Sequence, residues 1–271
     1  MLVGIDCGSS LVKAAWGEPE RLQTRRVTRD QLPGLLAELG ELGAQRLGLA
    51  GTRYRDPAFA AAGLELVEVT GEDIEREVEV QARGLRSLLA ASGEEPDELL
   101  IVSVGTGVSY ALSEAQTPAR RFPLGSALGG GFLAGLGAAL GLADVQELAA
   151  EAGRGEVVDL CVADLLPGQA GSPLGRMVVA HFGRAQAGTP RPDLCATLFS
   201  TVTTGIARDL LLIRGSAGWR LPADVAFVGS TLDLAPLREG LLGWAEALGL
   251  RALTPPLGAY ALAWGARLAL D

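Results

Sequence analysis

The sequence is poor in residues on which common active sites depend. Its 271 residues include one histidine, His181, and three cysteines. Cys7, Cys161 and Cys195 lie far apart and form no Cys-x-x-Cys spacing, which argues against disulfides and a structural zinc site and favours a reducing compartment. A Ser-His-Asp site could use only His181, and no Gly-x-Ser-x-Gly turn accompanies it. We therefore expect a surface or packing role for His181.

Charged residues are also scarce, and acidic side chains predominate. They make up 20% of the chain, the formal net charge is −9, and no run of basic residues is longer than a pair. We therefore expect no nucleic-acid partner. An anionic ligand would have to be held by backbone N–H groups or by a cation. The hydrophobic fraction of 48% provides ample material for a core.

The N-terminus and the apolar stretches predict no membrane segment. Met1 runs directly into an apolar strand pattern without a preceding basic region, which is not the pattern of a secretory signal. Glycine or charge interrupts the longest apolar stretches before they reach bilayer length. We therefore expect a cytoplasmic protein with no membrane partner.

Two parts of the chain repeat one arrangement of strands and small residues. Each part has two apolar strands joined by a turn of small residues, then a third strand, a helix and a further strand. In the first part these elements are predicted at 2–6, 11–16, 21–27, 29–42 and 46–50. In the second part they are predicted at 99–105, 108–114, 120–124, a helix reaching 140, and 224–228. Few folds duplicate such a βββαβ unit.

The first of these turns combines small residues with one carboxylate and one lysine. Gly8, Ser9 and Ser10 allow backbone N–H groups to converge on one point without interference from large side chains. We expect Asp6 to hold Mg²⁺ through water, because Mg²⁺ keeps much of its hydration. Lys13 is the only lysine among the 23 lysine and arginine residues, and its compact ammonium suits a phosphate oxygen better than a guanidinium would.

The second turn would complete a clamp around a polyphosphate. Gly105, Thr106 and Gly107 have the same small-residue composition as the first turn, and two such turns facing each other could bind phosphates from both sides. The alternative is a pair of ordinary β-hairpins with small residues at their turns. The repeat favours the clamp.

Two further glycine-containing segments could border a nucleotide. Gly129, Gly130 and Gly131 begin a helix, where each glycine costs about 1 kcal/mol relative to alanine. They make sense if a flat ligand approaches the helix N-terminus closely, and the alternative is a small-residue helix packed tightly on a neighbour. Gly229 and Ser230 follow the strand at 224–228 and could line the adenosine side.

The motifs GIDCGSSLVK, VGTGVS, GGGFLAGL and VGSTL, in this order and spacing, resemble the actin-like ATPase superfamily of sugar kinases and actin. Within it the sequence is most similar to the type II pantothenate kinase family, and the similarity runs essentially end to end. The resemblance implies an α/β, two-lobed, ribonuclease H-like fold of duplicated βββαβα units with mixed sheets. The predicted lobes are 1–97 and 98–271, with the active site between them.

The resemblance also implies a chemistry. It would be transfer of the γ-phosphoryl group of ATP to the 4′-hydroxyl of pantothenate, with Mg²⁺, as the first step towards coenzyme A. Phe132 and Leu133 would join the glycine helix start as nucleotide-binding residues. A homodimer is implied as well, for which the apolar helix at 194–213 could supply an interface, although a core helix is an equally good interpretation.

The catalytic base should lie in the acidic segment 69–89, where physical reasoning alone does not choose among five acidic residues. Many of these are expected on a solvated helix surface. The family places its catalytic glutamate eight residues before the leucine of a Gly-Leu step, which gives Glu77 when counted back from Leu85, with Glu79 as the fallback. By the same resemblance, Arg120 or Arg121 would bind the pantothenate side.

Three departures from the family pattern leave other functions open. They are Gly8-Ser9-Ser10 in place of Gly-Gly-Thr, Gly51-Thr52-Arg53 in place of a Gly-Gly turn, and Leu232-Asp233-Leu234 in place of an aromatic-His-Asn run. One rival is another kinase or ATPase of the superfamily, acting on an amino sugar or coupled to a partner protein. The other is a non-catalytic relative that binds a nucleotide or a metabolite. The lack of a cysteine pair disfavours the iron–sulfur ATPase subgroup.

Overall fold

Two five-stranded sheets with the same strand order form the framework of the molecule. The structure is a computed structural model and describes residues 1–51, 55–172, 174–216 and 218–271. The strands of the first sheet are β1 (Leu2–Cys7), β2 (Leu11–Trp16), β3 (Gln23–Thr28), β4 (Arg46–Ala50) and β5 (Glu65–Glu68). Those of the second sheet are β6 (Glu98–Val104), β7 (Val108–Glu114), β8 (Arg120–Ser126), β11 (Asp224–Val228) and β12 (Arg251–Leu253). A small separate sheet consists of β9 (Leu160–Cys161) and β10 (Val178–Ala180).

The two sheets are duplicates in topology. The first has the order β3-β2-β1-β4-β5, and the second has the order β8-β7-β6-β11-β12. In each sheet the first three strands are antiparallel, whereas the last two run parallel to the central strand. The predicted duplicated units with mixed sheets are therefore confirmed.

Helices cover the sheets and fill the space between them. In chain order they are α1 (Leu32–Glu41), α2 (Pro57–Ala61), α3 (Ile74–Ala91), α4 (Gly130–Ala139), α5 (Val145–Ala152), α6 (Val162–Leu165), α7 (Arg191–Gly215), α8 (Ala235–Ala247) and α9 (Ala261–Leu268). The predicted helix at 29–42 is a 3₁₀ turn followed by α1. Pro33 in the first turn of α1 sets a backbone dihedral that suits a helix start.

Helix α9 holds α3 and β1 together through glycines. A Cβ atom on Gly84 of α3 would lie 2.0 Å from the Ala261 carbonyl oxygen, and one on Gly4 of β1 would lie 1.8 Å from the Ala263 carbonyl oxygen. The backbones therefore touch where any side chain would separate them. The fully buried Leu85 and the nearly fully buried Trp264 pack in the same apolar cluster, which draws on both sheets. This packing fixes α3 relative to the end of β1. The boundary between lobes 1–97 and 98–271 stays a prediction.

Each sheet also contains one left-handed glycine at an equivalent place. Gly51 follows β4 with φ 90°, and Gly229 follows β11 with φ 109°. A Cβ atom would lie 2.9 Å from the Cys7 carbonyl oxygen at Gly51 and 2.3 Å from the Val104 carbonyl oxygen at Gly229. Both glycines therefore pack on the last residue of the central strand, just before the small-residue turn. The turn prediction at Thr52 and Arg53 lies outside the described residues.

Helix α7 belongs to the core of the second half. Its length and composition would allow it to cross a membrane, but 67% of its most apolar window is buried inside the protein. Its inward face, which includes Cys195, Val202 and Ile213, packs against the second sheet and α8. Of the two interpretations of the apolar helix at 194–213, the structure favours the core helix.

His181 takes part in a packing network rather than a nucleophilic site. The fully buried Asp159 accepts hydrogen bonds from the Phe182 N–H at 2.9 Å and the Ser200 hydroxyl at 2.6 Å. Nδ1 of His181 lies 3.2 Å from the same carboxylate. Since Ser200 and His181 both bond to Asp159 and not to each other, they do not form a nucleophile–base pair.

Candidate functional site

The two small-residue turns face each other across a cleft. Ser9 Oγ lies 2.8 Å from Thr106 Oγ1, and Ser10 Oγ lies 3.2 Å from the same atom. The three hydroxyl groups are exposed, and each can turn its O–H towards a ligand oxygen. The structure therefore brings the two predicted halves of the clamp into contact, although they are 97 residues apart in the chain.

Asp6 and Lys13 form an ion pair at the base of the first turn. They face each other in the β1–β2 register, and Lys13 Nζ donates to Asp6 Oδ2 at 2.8 Å. The side chains are only 12% exposed for Lys13 and 9% for Asp6. Lys13 was predicted to meet a phosphate, and here one of its three donors binds the carboxylate, which leaves two for a ligand.

The free oxygen of Asp6 suits a hydrated cation. Among the described residues, none donates a hydrogen bond to Oδ1, while Oδ2 is held by Lys13. No group of three or more histidine, cysteine or acidic residues that could hold a metal occurs in the described parts of the chain. A single carboxylate oxygen fits Mg²⁺, which keeps several waters and needs one or two protein carboxylates. The chemistry of this oxygen fits Mg²⁺, and the role of Asp6 as its ligand stays a prediction.

Glu77 faces the same cleft from α3. The helix begins after Asp73, whose side chain accepts a hydrogen bond from the Arg76 N–H, and Glu77 follows one turn later. The Glu77 side chain is half-buried and lines one cavity with Asp6. Burial raises the pKa of Glu77, the nearby Asp6 raises that pKa further, and Arg121 partly offsets both effects. A carboxylate with a raised pKa is well placed to accept a proton.

The other candidate base points elsewhere. Glu79 forms an ion pair with Arg76, whose Nη1 lies 3.2 Å from Oε2, and the two side chains are 45% and 48% exposed. Among the described residues, none hydrogen-bonds to the Glu77 carboxylate, which leaves that carboxylate available to a ligand. The geometry therefore favours Glu77 over Glu79.

The two predicted arginines lie on opposite faces of β8. Arg120 stacks over the ring of Trp219, with the guanidinium carbon 5.1 Å from the ring centroid. The backbone N–H of Arg121 donates to Glu75 at 3.3 Å, and the Arg121 charge acts on Glu77. Successive residues of a strand face opposite sides. The geometry therefore favours Arg121 over Arg120 as the arginine that acts at the candidate base.

The glycines at the start of α4 contact the second turn. The Gly130 N–H donates to the Gly105 carbonyl oxygen at 2.7 Å, and the Gly131 N–H donates to the Thr106 carbonyl oxygen at 2.8 Å. A Cβ atom on Gly129 would lie 2.7 Å from that same Thr106 oxygen. Tight packing on a neighbour, the alternative interpretation, therefore accounts for Gly129, whereas Gly130 and Gly131 both pack on the turn and line a cavity. Their first N–H groups are engaged within the protein.

Two residues predicted beside the nucleotide belong to the core. Leu133 is fully buried in the apolar cluster of the second half, so its side chain cannot reach a ligand. Phe132 packs against the same cluster from the edge. The prediction of Leu133 as a binding residue is therefore wrong, because α4 turns that position inward.

Two cavities adjoin at the turns. The first, of about 240 Å³, is lined by ten of the predicted site residues: Asp6, Gly8, Ser9, Ser10, Lys13, Glu77, Gly105, Thr106, Gly229 and Ser230. The second, of about 380 Å³, has mainly apolar walls and includes Gly130, Gly131, Ala134, Val145 and Leu234. They share Ser10, Leu11, Gly105, Thr106 and Ser230. Gly107 lines neither cavity, and its carbonyl accepts the Gly105 N–H at 2.9 Å within the turn.

Several wall residues escaped the sequence analysis. The first cavity also contains Gln81, Ser103, Gly258, Ala259 and Leu262. Gln81 could have been found, because it follows Glu77 by four residues and so shares its helix face. Ser103 occupies the place in VSVGTG that Asp6 has in IDCGSS. No local sequence pattern indicates that Gly258, Ala259 and Leu262, at and just before the start of α9, line a cavity.

An ion pair between the two halves lies at the wall of the second cavity. Arg26 of β3 donates to the Asp233 carboxylate, which follows β11, and both residues line that cavity. The hydrogen bond to Asp233 raises the pKa of Arg26. This contact joins the first sheet to the segment after Ser230.

Comparisons with known sequences point to kinases. No protein-family model matches the chain. A protein of Oceanobacillus iheyensis named type II pantothenate kinase is 26% identical over 286 residues, which cover 98% of each chain. A protein of Staphylococcus saprophyticus with the same name is 27% identical over 187 residues, covering 68% of this chain and 67% of the relative. These similarities support a kinase function.

Solved structures show the fold. Component A of the Acidaminococcus fermentans (R)-2-hydroxyglutaryl-CoA dehydratase has a TM-score of 0.64 at 17% identity, covering 100% of this chain and 99% of that one. The activator of the Clostridium difficile 2-hydroxyisocaproyl-CoA dehydratase, solved with ADPNP, has a TM-score of 0.62 at 15% identity, covering 98% and 92%. A ROK family glucokinase of Streptomyces griseus, solved with glucose and AMPPNP, gives 0.52 at 17% identity, covering 98% and 97%. The fold is therefore that of actin-like ATPases and the related sugar kinases.

Proposed function

We propose that the protein is an ATP-dependent pantothenate kinase that phosphorylates the 4′-hydroxyl of pantothenate. The observation that carries the proposal is the convergence of Glu77 with Asp6 and Lys13 in one cavity, beside a second, more apolar cavity that shares the turn residues. The names of both curated relatives support pantothenate as the acceptor. The same family resemblance supports a cytoplasmic homodimer.

In this proposal the two cavities hold the two substrates. The adenosine of ATP occupies the second cavity, its phosphates lie at the shared rim, and pantothenate occupies the first cavity. Ser10 and Thr106 donate hydrogen bonds to phosphate oxygens, while Lys13 directs its two remaining N–H donors towards them. Because phosphoryl transfer depends mainly on positioning and charge neutralisation, these contacts supply most of what the protein must do.

Glu77 would complete the reaction as the general base. Its carboxylate accepts the proton of the attacking hydroxyl while Arg121 binds the pantothenate carboxylate. Mg²⁺ held through Asp6 would neutralise phosphate charge. Closure of the lobes 1–97 and 98–271 would exclude water and limit wasteful ATP hydrolysis.

The test is ADP release with ATP and Mg²⁺, with and without pantothenate. Wild-type protein should release ADP only when pantothenate is present, and Glu77→Gln should lose about 10²- to 10⁴-fold in kcat. Glu79→Gln is the matched control, since its carboxylate pairs with Arg76 outside the cavity. ADP release that ignores pantothenate would indicate another acceptor or a partner-coupled ATPase. ATP binding without turnover would indicate a non-catalytic relative.

A further inference from the structure

The side-chain amide of Gln81 lies in the first cavity and has no role in the proposed mechanism. Gln81 lies one helical turn after Glu77 on α3, so both side chains leave the same face of the helix. The Gln81 side chain is half-buried and lines the cavity with Glu77 and Asp6. It therefore reaches the space in which an acceptor would bind.

The position of this amide is fixed from the second sheet. Gln81 Nε2 donates to Ser103 Oγ at 3.3 Å, and Ser103 lies near the end of β6, where it lines the same cavity. The contact joins α3 to the strand that leads into the second turn. Gln81 therefore cannot move freely away from the cavity without losing a hydrogen bond.

Part of the hydrogen-bonding capacity of Gln81 is unused by the protein. A primary amide has two N–H donors and a carbonyl oxygen with two lone pairs, of which the contact to Ser103 uses one donor. Among the residues that the structure describes, no second hydrogen-bond partner contacts this amide. A half-buried polar group is best satisfied by water or by a ligand. The amide can both donate and accept, as a hydroxyl partner requires.

We propose that Gln81, held by Ser103, binds a second hydroxyl group of the acceptor, next to the hydroxyl that Glu77 deprotonates. The Cβ atoms of residues four apart on a helix are about 5–6 Å apart, a spacing that two hydroxyl groups on one short carbon chain can bridge. Gln81 thus selects acceptors that carry a second hydroxyl near the reacting one. This inference rests on the proposed function, and the pantothenate 2′-hydroxyl is the group in question.

The test measures KM for pantothenate and for ATP separately. Gln81→Leu should raise the KM for pantothenate by about tenfold, as expected for one lost hydrogen bond, and leave the KM for ATP within about twofold. Ser103→Ala should have a smaller effect in the same direction, because it only loosens the amide. Gln116→Leu is the matched control. Gln116 is exposed in the turn between β7 and β8, at the end of β7 opposite to the Gly105–Gly107 turn.

A substrate analogue separates binding from a structural role. Wild-type protein should use 2′-deoxypantothenate with a KM about tenfold higher than that for pantothenate, whereas Gln81→Leu should hardly distinguish the two compounds. A residue that only supports the fold would leave the ratio of the two KM values unchanged. If Gln81→Leu does not fold, the same ratio in Ser103→Ala decides, since a reduced ratio is expected there.

The inference and the proposed function fail in different ways. If wild-type protein phosphorylates pantothenate but both variants keep the wild-type ratio of KM values, the inference is overturned and the proposed function stands. If wild-type protein shows no pantothenate-dependent ADP release, the proposed function is overturned and the inference falls with it. The second result needs no variant, so the two cannot be confused.

Discussion

The two small-residue turns occupy equivalent places in duplicated sheets, yet their chemistry differs. Around the first turn lie three charged side chains, Asp6, Lys13 and Glu77. The second turn contributes hydroxyl and backbone groups, and two of its carbonyl oxygens are bound by the start of α4. The duplication supplies a cleft with similar walls, but a reaction between two different substrates needs unlike walls. Under the proposed function, the charged side serves the metal and the proton, and the neutral side binds the nucleotide.

The residues at matching positions show how the halves diverged. Asp6 corresponds to Ser103, and Lys13 corresponds to Tyr110 in the repeat. Tyr110 is fully buried, and its hydroxyl donates to Asp209 at 2.8 Å. The polar partner on the second strand is thus directed into the core of the second half, whereas Lys13 remains at the cleft.

Replacing Asp6 by serine, the residue at the matching position 103, should have the largest effect on activity. Asp6→Ser removes the carboxylate at the metal position and leaves Lys13 without its partner, so we expect kcat for ADP release to fall by about 10²- to 10³-fold. The measurement is pantothenate-dependent ADP release at saturating ATP and Mg²⁺. Ser103→Asp, the reciprocal change, should not restore activity to Asp6→Ser. A loss of less than about tenfold in Asp6→Ser would contradict the assignment of charge to the first turn.

The strand patterns and small-residue turns made the framework predictable from the sequence. The alternation of apolar residues and the glycines at strand ends are local features, and they predict the positions of Asp6, Lys13 and Thr106 beside one cavity. Glu77 required the spacing of a known family, because five acidic residues near one helix start look alike in isolation.

Other parts of the site depend on contacts that no local pattern encodes. The hydrogen bond between Gln81 and Ser103 depends on how α3 packs against α9 and the sheets, which is a property of the tertiary structure. Leu133 was misplaced because α4 is apolar on all sides, so its sequence does not reveal which face turns inward. The glycines of α4 are ambiguous in sequence for a related reason, since close approach of protein backbone and of ligand favour the same residue.

The left-handed glycines test the duplication itself. Gly51→Ala and Gly229→Ala should each lower the free energy of unfolding by about 1–3 kcal/mol from backbone strain, with further loss where the new Cβ meets a carbonyl. The cost should be larger at Gly229, because its Cβ would lie 2.3 Å from the Val104 oxygen, compared with 2.9 Å from the Cys7 oxygen at Gly51. Urea unfolding measures both. Gly63→Ala, which meets no atom within 4 Å at φ 67°, isolates the strain alone.

Removing the Glu77 charge should stabilise the protein while lowering kcat. Because burial and Asp6 raise the pKa of Glu77 above its ordinary value of 4.5, the folded state binds this proton more tightly than the unfolded state. The stability contributed by Glu77 is therefore fully present below pH 4.5 and is lost as the pH rises through the folded-state pKa. Glu77→Gln should melt at a higher temperature than wild type at pH 7, with a smaller difference at pH 4.

Glu79→Gln provides the matched comparison for this prediction. Its carboxylate is on the same helix, but the side chain is 45% exposed and pairs with Arg76. Its melting temperature should not rise relative to wild type between pH 4 and pH 7. Equal changes in melting temperature for the two variants would show that burial does not destabilise the charged form of Glu77.

Removing the Arg26–Asp233 ion pair should have the smallest effect on stability. It also tests whether the contact between the two halves affects nucleotide binding. The side chains are 37% and 46% exposed, so the pair should contribute no more than about 1 kcal/mol to stability. Asp233→Ala should change the melting temperature by only a few degrees while altering the KM for ATP, because both residues line the second cavity. A double-mutant cycle with Arg26→Ala isolates their coupling. If the coupling appears in the KM for pantothenate and not in that for ATP, the division of the cleft into a nucleotide side and an acceptor side is wrong.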